Sequence, residues 1–142
     1  MAGQGAREGP YEWLGLLDGA LLTEFHDIAA TRGRLDRPGV RNRAALDHLA
    51  SHLRAMGVET KPPEAIAAYA MWYVVMEQVF WDGNHRTAET LGLYILKLFD
   101  YDLGAEEVEL ARFVRSIDLQ GLQPDEIRKW LRKKMVRAEE PT

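Results

Sequence analysis

Apolar residues recur with helical spacing along most of the chain. Between Tyr11 and Ala30 they lie mostly three or four positions apart, as they do along one face of an α-helix. Gly15 and Gly19 interrupt this stretch and predict a break near Gly19. An alternation of apolar and polar residues, which would be typical of a strand, never extends beyond a few residues. The pattern therefore predicts an all-α fold.

The central part of the chain predicts two more helices. One covers 44–56, and Gly57 stands where a glycine often ends a helix. The other covers 65–79 after Pro62-Pro63, because proline is tolerated in a first helical turn. This second helix is apolar nearly all round, so we expect it to be the most buried. Residues 32–43 show no periodicity and predict a loop, a short hairpin or a flap.

A turn signal at 80–84 separates the buried helix from a further one that begins near Arg86. Helices over 105–117 and from Pro124 onward complete the pattern, and acidic residues after Pro124 suit the positive end of a helix dipole. We expect a single-domain helical bundle of about six helices.

The chain has 142 residues, which fits one domain. We place this domain at 11–137, with a flexible N-terminal tail over 1–10 and a C-terminal tail over 138–142. Apolar residues make up 46% and charged residues 28%, values typical of folded globular proteins. Cysteine is absent, which excludes disulfides, thiolate zinc sites and thiol nucleophiles.

The composition also restricts location and partners. The most apolar run, 65–80, contains Glu77 and Gln78 and is shorter than the roughly 20 residues that a membrane-spanning helix needs. The first ten residues lack the apolar segment of a signal peptide. We therefore expect a cytoplasmic protein without a membrane partner. The net charge of −4 argues against general binding to polyanions, so any basic site must be local.

The stretch from Gln78 to Ala88 carries the chemistry. It is a tight turn leading into a helix, and the first N–H groups of a helix bind anions readily. Gly83 allows close approach of a ligand, and Arg86 offers a planar set of donors for phosphate oxygens. Asp82 is an oxygen ligand suited to magnesium. Together they predict a site for phosphate and magnesium, with a structural turn and helix cap as the alternative.

The full stretch resembles the signature of the Fic/Doc (Fido) family, His-x-Phe-x-(Asp/Glu)-(Gly/Ala)-Asn-(Lys/Gly)-Arg. The similarity continues on both sides, through 37–46, 98–103 and 122–131, and covers roughly residues 20 to 135. Thr87-Ala88 continues the stretch as in the Doc branch. The residues that match the signature itself are Phe80, Asp82, Gly83, Asn84 and Arg86.

The resemblance implies a helical domain of the Fic/Doc type that uses ATP and Mg²⁺. Fic proteins transfer AMP to a hydroxyl of a target protein, whereas Doc toxins transfer phosphate to a threonine of elongation factor Tu and are silenced by an antitoxin. A protein target with a Ser, Thr or Tyr hydroxyl and an antitoxin are therefore the implied partners. The implied roles are magnesium binding by Asp82, anchoring of the turn by Phe80, and phosphate binding by Gly83, Asn84, His85, Arg86 and Thr87.

Gln78 stands where the family has its catalytic histidine, the general base. A neutral amide cannot hold a proton near pH 7, and loss of a general base costs roughly 10²–10⁴ in rate. The sequence thus predicts weak or absent transfer. A natural pseudoenzyme, an enzyme that uses another group and an inactivated variant of a toxic protein remain open, as does a non-catalytic module that binds nucleotide or a partner.

Two further departures concern the branch of the family. His85 replaces the lysine of the Doc branch and the glycine of the AMP-transferring branch. Glu89 stands where AMP-transferring members have a second arginine. Both favour the Doc branch.

Weaker signals lie elsewhere. His48 and His52 have a spacing that can bind zinc, but no third ligand is evident, so a solvated helix face is favoured. Arginines in 32–43 could steer a nucleotide or an acidic partner, or could belong to a solvated loop. Basic residues at the end of the last helix could bind nucleic acid, although solubility and the helix dipole explain them better. Nucleic-acid binding through both segments is the weaker alternative. These basic residues are Arg32, Arg34, Arg37, Arg41 and Arg43 in the first segment and Arg128, Lys129, Arg132, Lys133, Lys134 and Arg137 in the second.

Overall fold

A computed structural model describes residues 9–32, 37 and 39–138, with Arg32 described for its backbone alone. The predicted tails lie for the most part outside these residues, as does about half of the segment predicted as a loop, hairpin or flap. The described residues form a helical bundle with one small sheet, which confirms the all-α prediction. The helices are α1 (Pro10–Leu14), α2 (Gly19–Arg32), α3 (Arg43–Val58), α4 (Pro63–Glu77), α5 (Asn84–Leu98), α6 (Glu107–Leu119) and α7 (Pro124–Lys134), and the strands are β1 (Tyr101–Leu103) and β2 (Met135–Arg137).

Helix α4 lies at the centre of the bundle, as its apolar sequence predicts. It packs against α3, α5, α6 and α7 and buries a broad face, while Met76 on the other side is exposed. It approaches α5 closely at Gly92, where an added Cβ would lie 2.5 Å from Sδ of Met71. The turn at 78–83 therefore connects two helices that are in close contact.

The break predicted near Gly19 is confirmed, and it accounts for one helix more than expected. Helix α2 begins at Gly19, and the Asp18 carboxylate accepts a hydrogen bond of 2.8 Å from the Leu21 N–H. The prediction that Gly57 ends α3 is wrong, since α3 continues to Val58. A Cβ at Gly57 would lie 3.2 Å from Cβ of Leu14, so the glycine allows α1 to pack closely.

The two strands are the elements that the apolar pattern does not reveal. β1 pairs antiparallel with β2, with Tyr101 opposite Arg137. Each strand has three residues, which is too short for an alternating pattern to stand out. The pairing joins the end of α7 to the chain after α5. In the part of the chain that the structure describes, no helix meets the length and apolarity that crossing a membrane requires.

Candidate functional site

The C-terminus of α4 is held by an arginine from outside the helix. Gln78 follows the last helical residue in a left-handed conformation, with φ of 47°. The Arg41 guanidinium donates from Nε to the Gln78 carbonyl at 2.6 Å and from Nη2 to the Glu77 carbonyl at 2.7 Å. Carbonyls at a helix end have no partner within the helix, so Arg41 supplies one. The position of Gln78 thus depends on a residue that is distant in sequence.

Asn84 closes the turn that follows. Its side chain accepts a hydrogen bond from the Phe80 N–H at 3.0 Å and donates one to the Phe80 carbonyl at 2.9 Å. Phe80 is buried, and Gly83 adopts a φ of 75°, a conformation that glycine accepts at little cost. The predicted anchoring role of Phe80 agrees with this burial. Both polar atoms of the Asn84 side chain are used in these two hydrogen bonds. The backbone N–H of Asn84, at the start of α5, is therefore the group that Asn84 can offer to a ligand.

The segment before α3 runs alongside the turn as a single β-bridge, between Val40 and Phe80. The Trp81 N–H donates to the Gly39 carbonyl at 3.0 Å, and the Arg41 N–H donates to the Val79 carbonyl at 2.8 Å. The backbone at 79–81 is therefore hydrogen-bonded to the segment 39–41.

A cavity of about 550 Å³ opens at the start of α5. Helix α5 begins at Asn84 with Gly83 as its N-cap, so the first backbone amides of the helix have no intrahelical acceptor. The predicted site residues come together around this cavity, while Thr87 is buried behind it. Helix α6 forms the opposite wall. The lining residues are Val75, Gln78, Trp81, Asp82, Gly83, Asn84, His85, Arg86, Arg115, Asp118 and Leu119.

Two side chains of α6, which the sequence did not single out, add charge to this cavity. His85 donates from Nε2 to the Asp118 carboxylate at 2.9 Å. Burial opposes ionisation of Asp118, but the hydrogen bond and the charge of His85 outweigh it and lower the pKa of that carboxyl. Arg115 lies on the same wall. The cavity thus has an arginine from each of two helices, Arg86 of α5 and Arg115 of α6, together with the carboxylates of Asp82 and Asp118.

Asp82 and Arg86 flank the start of α5. The Gly83 N–H donates to Oδ1 of Asp82 at 2.8 Å, which orients a half-buried carboxylate at the cavity. Magnesium in phosphate sites is held through one or two carboxylates together with phosphate oxygens, so one aspartate is a sufficient protein ligand. Arg86 is exposed and lines the cavity from the first turn of α5.

A larger cavity of about 1180 Å³ lies on another face of α5, between α2, β1 and the start of α6. Phe25 and Tyr94 form part of its wall, with ring centroids 4.7 Å apart. Glu89 also lines it, and burial raises the pKa of Glu89, with Arg86 acting in the opposite direction. Arg86 lines both cavities.

The weaker sequence signals have structural explanations. The His52 ring stacks on Tyr69 at 4.0 Å, and among the described residues no three His, Cys, Asp or Glu side chains form a metal-binding group. On α7, Arg128 and Lys129 pair with Asp125 at 2.8 and 3.4 Å. Such pairs reduce the positive charge that α7 presents to a polyanion.

Comparison of the chain with models of protein families gives no match. Comparison with curated proteins also gives none. The fold and the site define an all-α protein with a polar cavity at the start of a helix, and the resemblance to the Fic/Doc family rests on the motif residues themselves.

Proposed function

We propose that this chain is a Fic/Doc-like protein that binds Mg²⁺–ATP at the cavity between α4 and α6 and transfers a phosphate-containing group to a protein hydroxyl only weakly. The observation that carries the proposal is the joining of Asp82, Gly83 and Arg86 at the open start of α5. A helix start with a glycine and an arginine suits phosphate oxygens.

The donor set fits the cofactors that the resemblance implies. Asp82 would hold magnesium, which neutralises phosphate charge, and the backbone N–H groups of Asn84 and His85 would donate hydrogen bonds to phosphate oxygens. Arg86 adds a bidentate donor. The Thr87 N–H donates to the Gly83 carbonyl at 2.9 Å, so the fourth residue of the motif helix supports the turn rather than offering its amide.

The weakness of transfer follows from Gln78. Its side chain amide can accept a hydrogen bond from a hydroxyl and orient it, but it takes no proton at neutral pH. Transfer then depends on positioning and charge stabilisation, and the general base contributes roughly 10²–10⁴ in such reactions. His85 and Glu89 resemble the Doc branch, so the γ-phosphate is the group that we expect to move.

In this proposal the group is transferred to a hydroxyl of a target protein in the cytoplasm. An antitoxin is the second proposed partner. Trp81 is 44% exposed and Leu119 is 82% exposed, and both lie at the cavity. Exposed apolar side chains around a polar site are suited to contact with a protein surface. These two residues are therefore the first to substitute when a target is sought.

Calorimetric titration with Mg²⁺–ATP tests the nucleotide site. The unchanged chain should bind, and Arg86→Ala should weaken binding on the order of tenfold or more, because a charge-assisted hydrogen bond contributes about 1.5–3 kcal/mol. Arg112→Ala, at an exposed arginine of α6 that does not line the cavity, is the matched control and should bind as the unchanged chain does. No heat and no thermal stabilisation at millimolar Mg²⁺–ATP would reject the proposal.

The second candidate is a non-catalytic module that binds nucleotide or an antitoxin-like partner. Gln78 favours it, because the cavity keeps its phosphate-binding groups while the position of the base carries a neutral amide. The two candidates differ in turnover. Binding of Mg²⁺–ATP without any labelled product, even after long incubation with cell extract, would select the binding module.

A further inference from the structure

A buried histidine lies directly behind the motif turn. His26 of α2 has no exposed surface, and its ring lies parallel to Phe80 with centroids 4.1 Å apart. Its Nδ1 is 3.1 Å from Oγ1 of Thr87, and its Nε2 is 3.1 Å from the backbone N of Gly39. One side chain thus contacts the motif turn, helix α5 and the segment that pairs with the turn.

These contacts determine the tautomer of His26. A backbone N–H can only donate, so Nε2 must be the unprotonated acceptor for Gly39. A neutral imidazole then carries its proton on Nδ1 and donates it to the Thr87 hydroxyl. Burial lowers the pKa of His26, although the carboxylates of Asp27 and Asp82 act in the opposite direction. A second proton would place an N–H of the ring against the N–H of Gly39.

The link from His26 to the candidate site runs through Gly39. The Gly39 carbonyl accepts the Trp81 N–H, and the next residue, Val40, forms the bridge with Phe80. Gly39 has a φ of 110°, which side-chain-bearing residues rarely adopt. Its conformation allows its N–H to meet His26 while its carbonyl meets Trp81.

We propose that His26 is the positioning residue of the motif turn. Its Nδ1–H tautomer holds Gly39 on one side and Thr87 on the other, and thereby sets the backbone of 80–83, of which Trp81, Asp82 and Gly83 line the cavity. His26 is buried and acts through these two residues rather than by touching phosphate. The importance of this role for nucleotide binding rests on the proposed function, whereas the hydrogen bonds can be measured without nucleotide.

Amide hydrogen exchange of two variants tests the inference. His26→Phe keeps an aromatic ring against Phe80 but removes the acceptor for Gly39, while His26→Gln keeps an acceptor. We expect His26→Phe to lower the protection of the Gly39 and Trp81 amides on the order of tenfold, and His26→Gln to restore most of it. His48→Phe, at an exposed histidine of α3, is the matched control and should leave both amides unchanged.

Nitrogen NMR of the unchanged chain gives a second measurement that needs no variant. A protonated Nδ1 and an unprotonated Nε2 at neutral pH support the inference, and a proton on Nε2 overturns it even if His26→Phe fails to fold. Unchanged protection of both amides in a folded His26→Phe protein overturns it as well. With Mg²⁺–ATP, His26→Phe should bind several-fold more weakly than His26→Gln. If the unchanged chain binds no Mg²⁺–ATP, the proposed function fails and the amide result still decides the role of His26.

Discussion

The two cavities that meet at Arg86 differ in what lines them. The larger one, about 1180 Å³, has walls of apolar and aromatic side chains such as Phe25, Leu93 and Tyr94. The smaller one, about 550 Å³, lies at the start of α5 and presents backbone amides, a glycine with positive φ and the carboxylates of Asp82 and Asp118. Helix α5 contributes its middle to the first and its first turn to the second.

This difference teaches that volume is a poor guide to chemistry in this molecule. In the larger cavity Lys97 pairs with Asp102 at 2.8 Å, and the partly buried Glu89 lacks enough positive charge to offset its burial. An anion would therefore gain little electrostatic stabilisation in the larger cavity. In the smaller cavity the positive end of the α5 dipole lies among lining residues that include Arg86 and Arg115, and the turn is held from behind by Asn84. We therefore assign the proposed phosphate binding to the smaller cavity.

The largest expected effect comes from restoring a base in the smaller cavity. Gln78→His should raise transfer from ATP to protein by roughly 10²–10⁴, the usual contribution of a positioned general base. Histidine is among the residues that tolerate the left-handed conformation found at this position. The assay follows label from α- and γ-labelled ATP into proteins of a cell extract.

Glu77→His is the matched control, since it adds an imidazole one residue away, at a position that does not line the cavity. We expect γ-label in the Gln78→His reaction. Transfer of α-label would contradict the assignment to the Doc branch. Absence of both labels, with nucleotide still bound, would favour the non-catalytic module.

Arg41→Ala should have the next largest effect, because it removes both side-chain hydrogen bonds to the end of α4. We expect a loss of about 1–2 kcal/mol in the free energy of unfolding and weaker binding of Mg²⁺–ATP. Urea unfolding measures the first and calorimetry the second. Arg43→Ala, an exposed arginine in the first turn of α3, should change neither by more than a fraction of that amount. Equal effects of the two variants would mean that Arg41 does not act through the turn.

The pH dependence of stability tests the region behind the smaller cavity, where His26 lies. The pKa of His26 in the folded chain lies below its usual value of 6.5, chiefly because of burial. The unfolded chain therefore binds more protons below pH 6.5, so the free energy of unfolding should fall as the pH decreases from about 6.5 toward the lower folded pKa. His26→Gln should reduce this slope in urea unfolding measured from pH 7.5 to 5. The remaining slope should include His52, whose pKa burial and the charge of His48 also lower. An unchanged slope in His26→Gln would show that the pKa of His26 does not differ between the folded and the unfolded chain.

Glu89→Gln should give the smallest effect, and it tests whether the larger cavity takes part in nucleotide binding. Burial disfavours the charged form of Glu89, so the neutral variant should be as stable as the unchanged chain or more stable by about 0.5 kcal/mol at most. Its affinity for Mg²⁺–ATP should change by less than about twofold, since that shift corresponds to under 0.5 kcal/mol. A tenfold loss would mean that the nucleotide extends into the larger cavity, and the division of roles between the cavities would be wrong.

The helices were predictable because their signals are local. Apolar spacing and prolines locate α3, α4 and α7 to within a few residues, and the turn at 80–84 follows from the residues within it. The strands were missed because three residues carry too little pattern. Gly57 was misread because a glycine that permits close packing and a glycine that ends a helix look the same in sequence.

The sequence by itself determined the all-α class, the central place of α4 and the location of the turn that carries Asp82, Gly83 and Arg86. Only the tertiary structure showed that Arg41 caps Gln78 across 37 residues, that Asp118 meets His85 across 33, and that His26 meets Thr87 across 61. The physical reason is that helix periodicity and turn geometry are decided by neighbours in the chain. The partners of a polar side chain depend instead on how helices pack, and the pattern of a single sequence does not contain those distances.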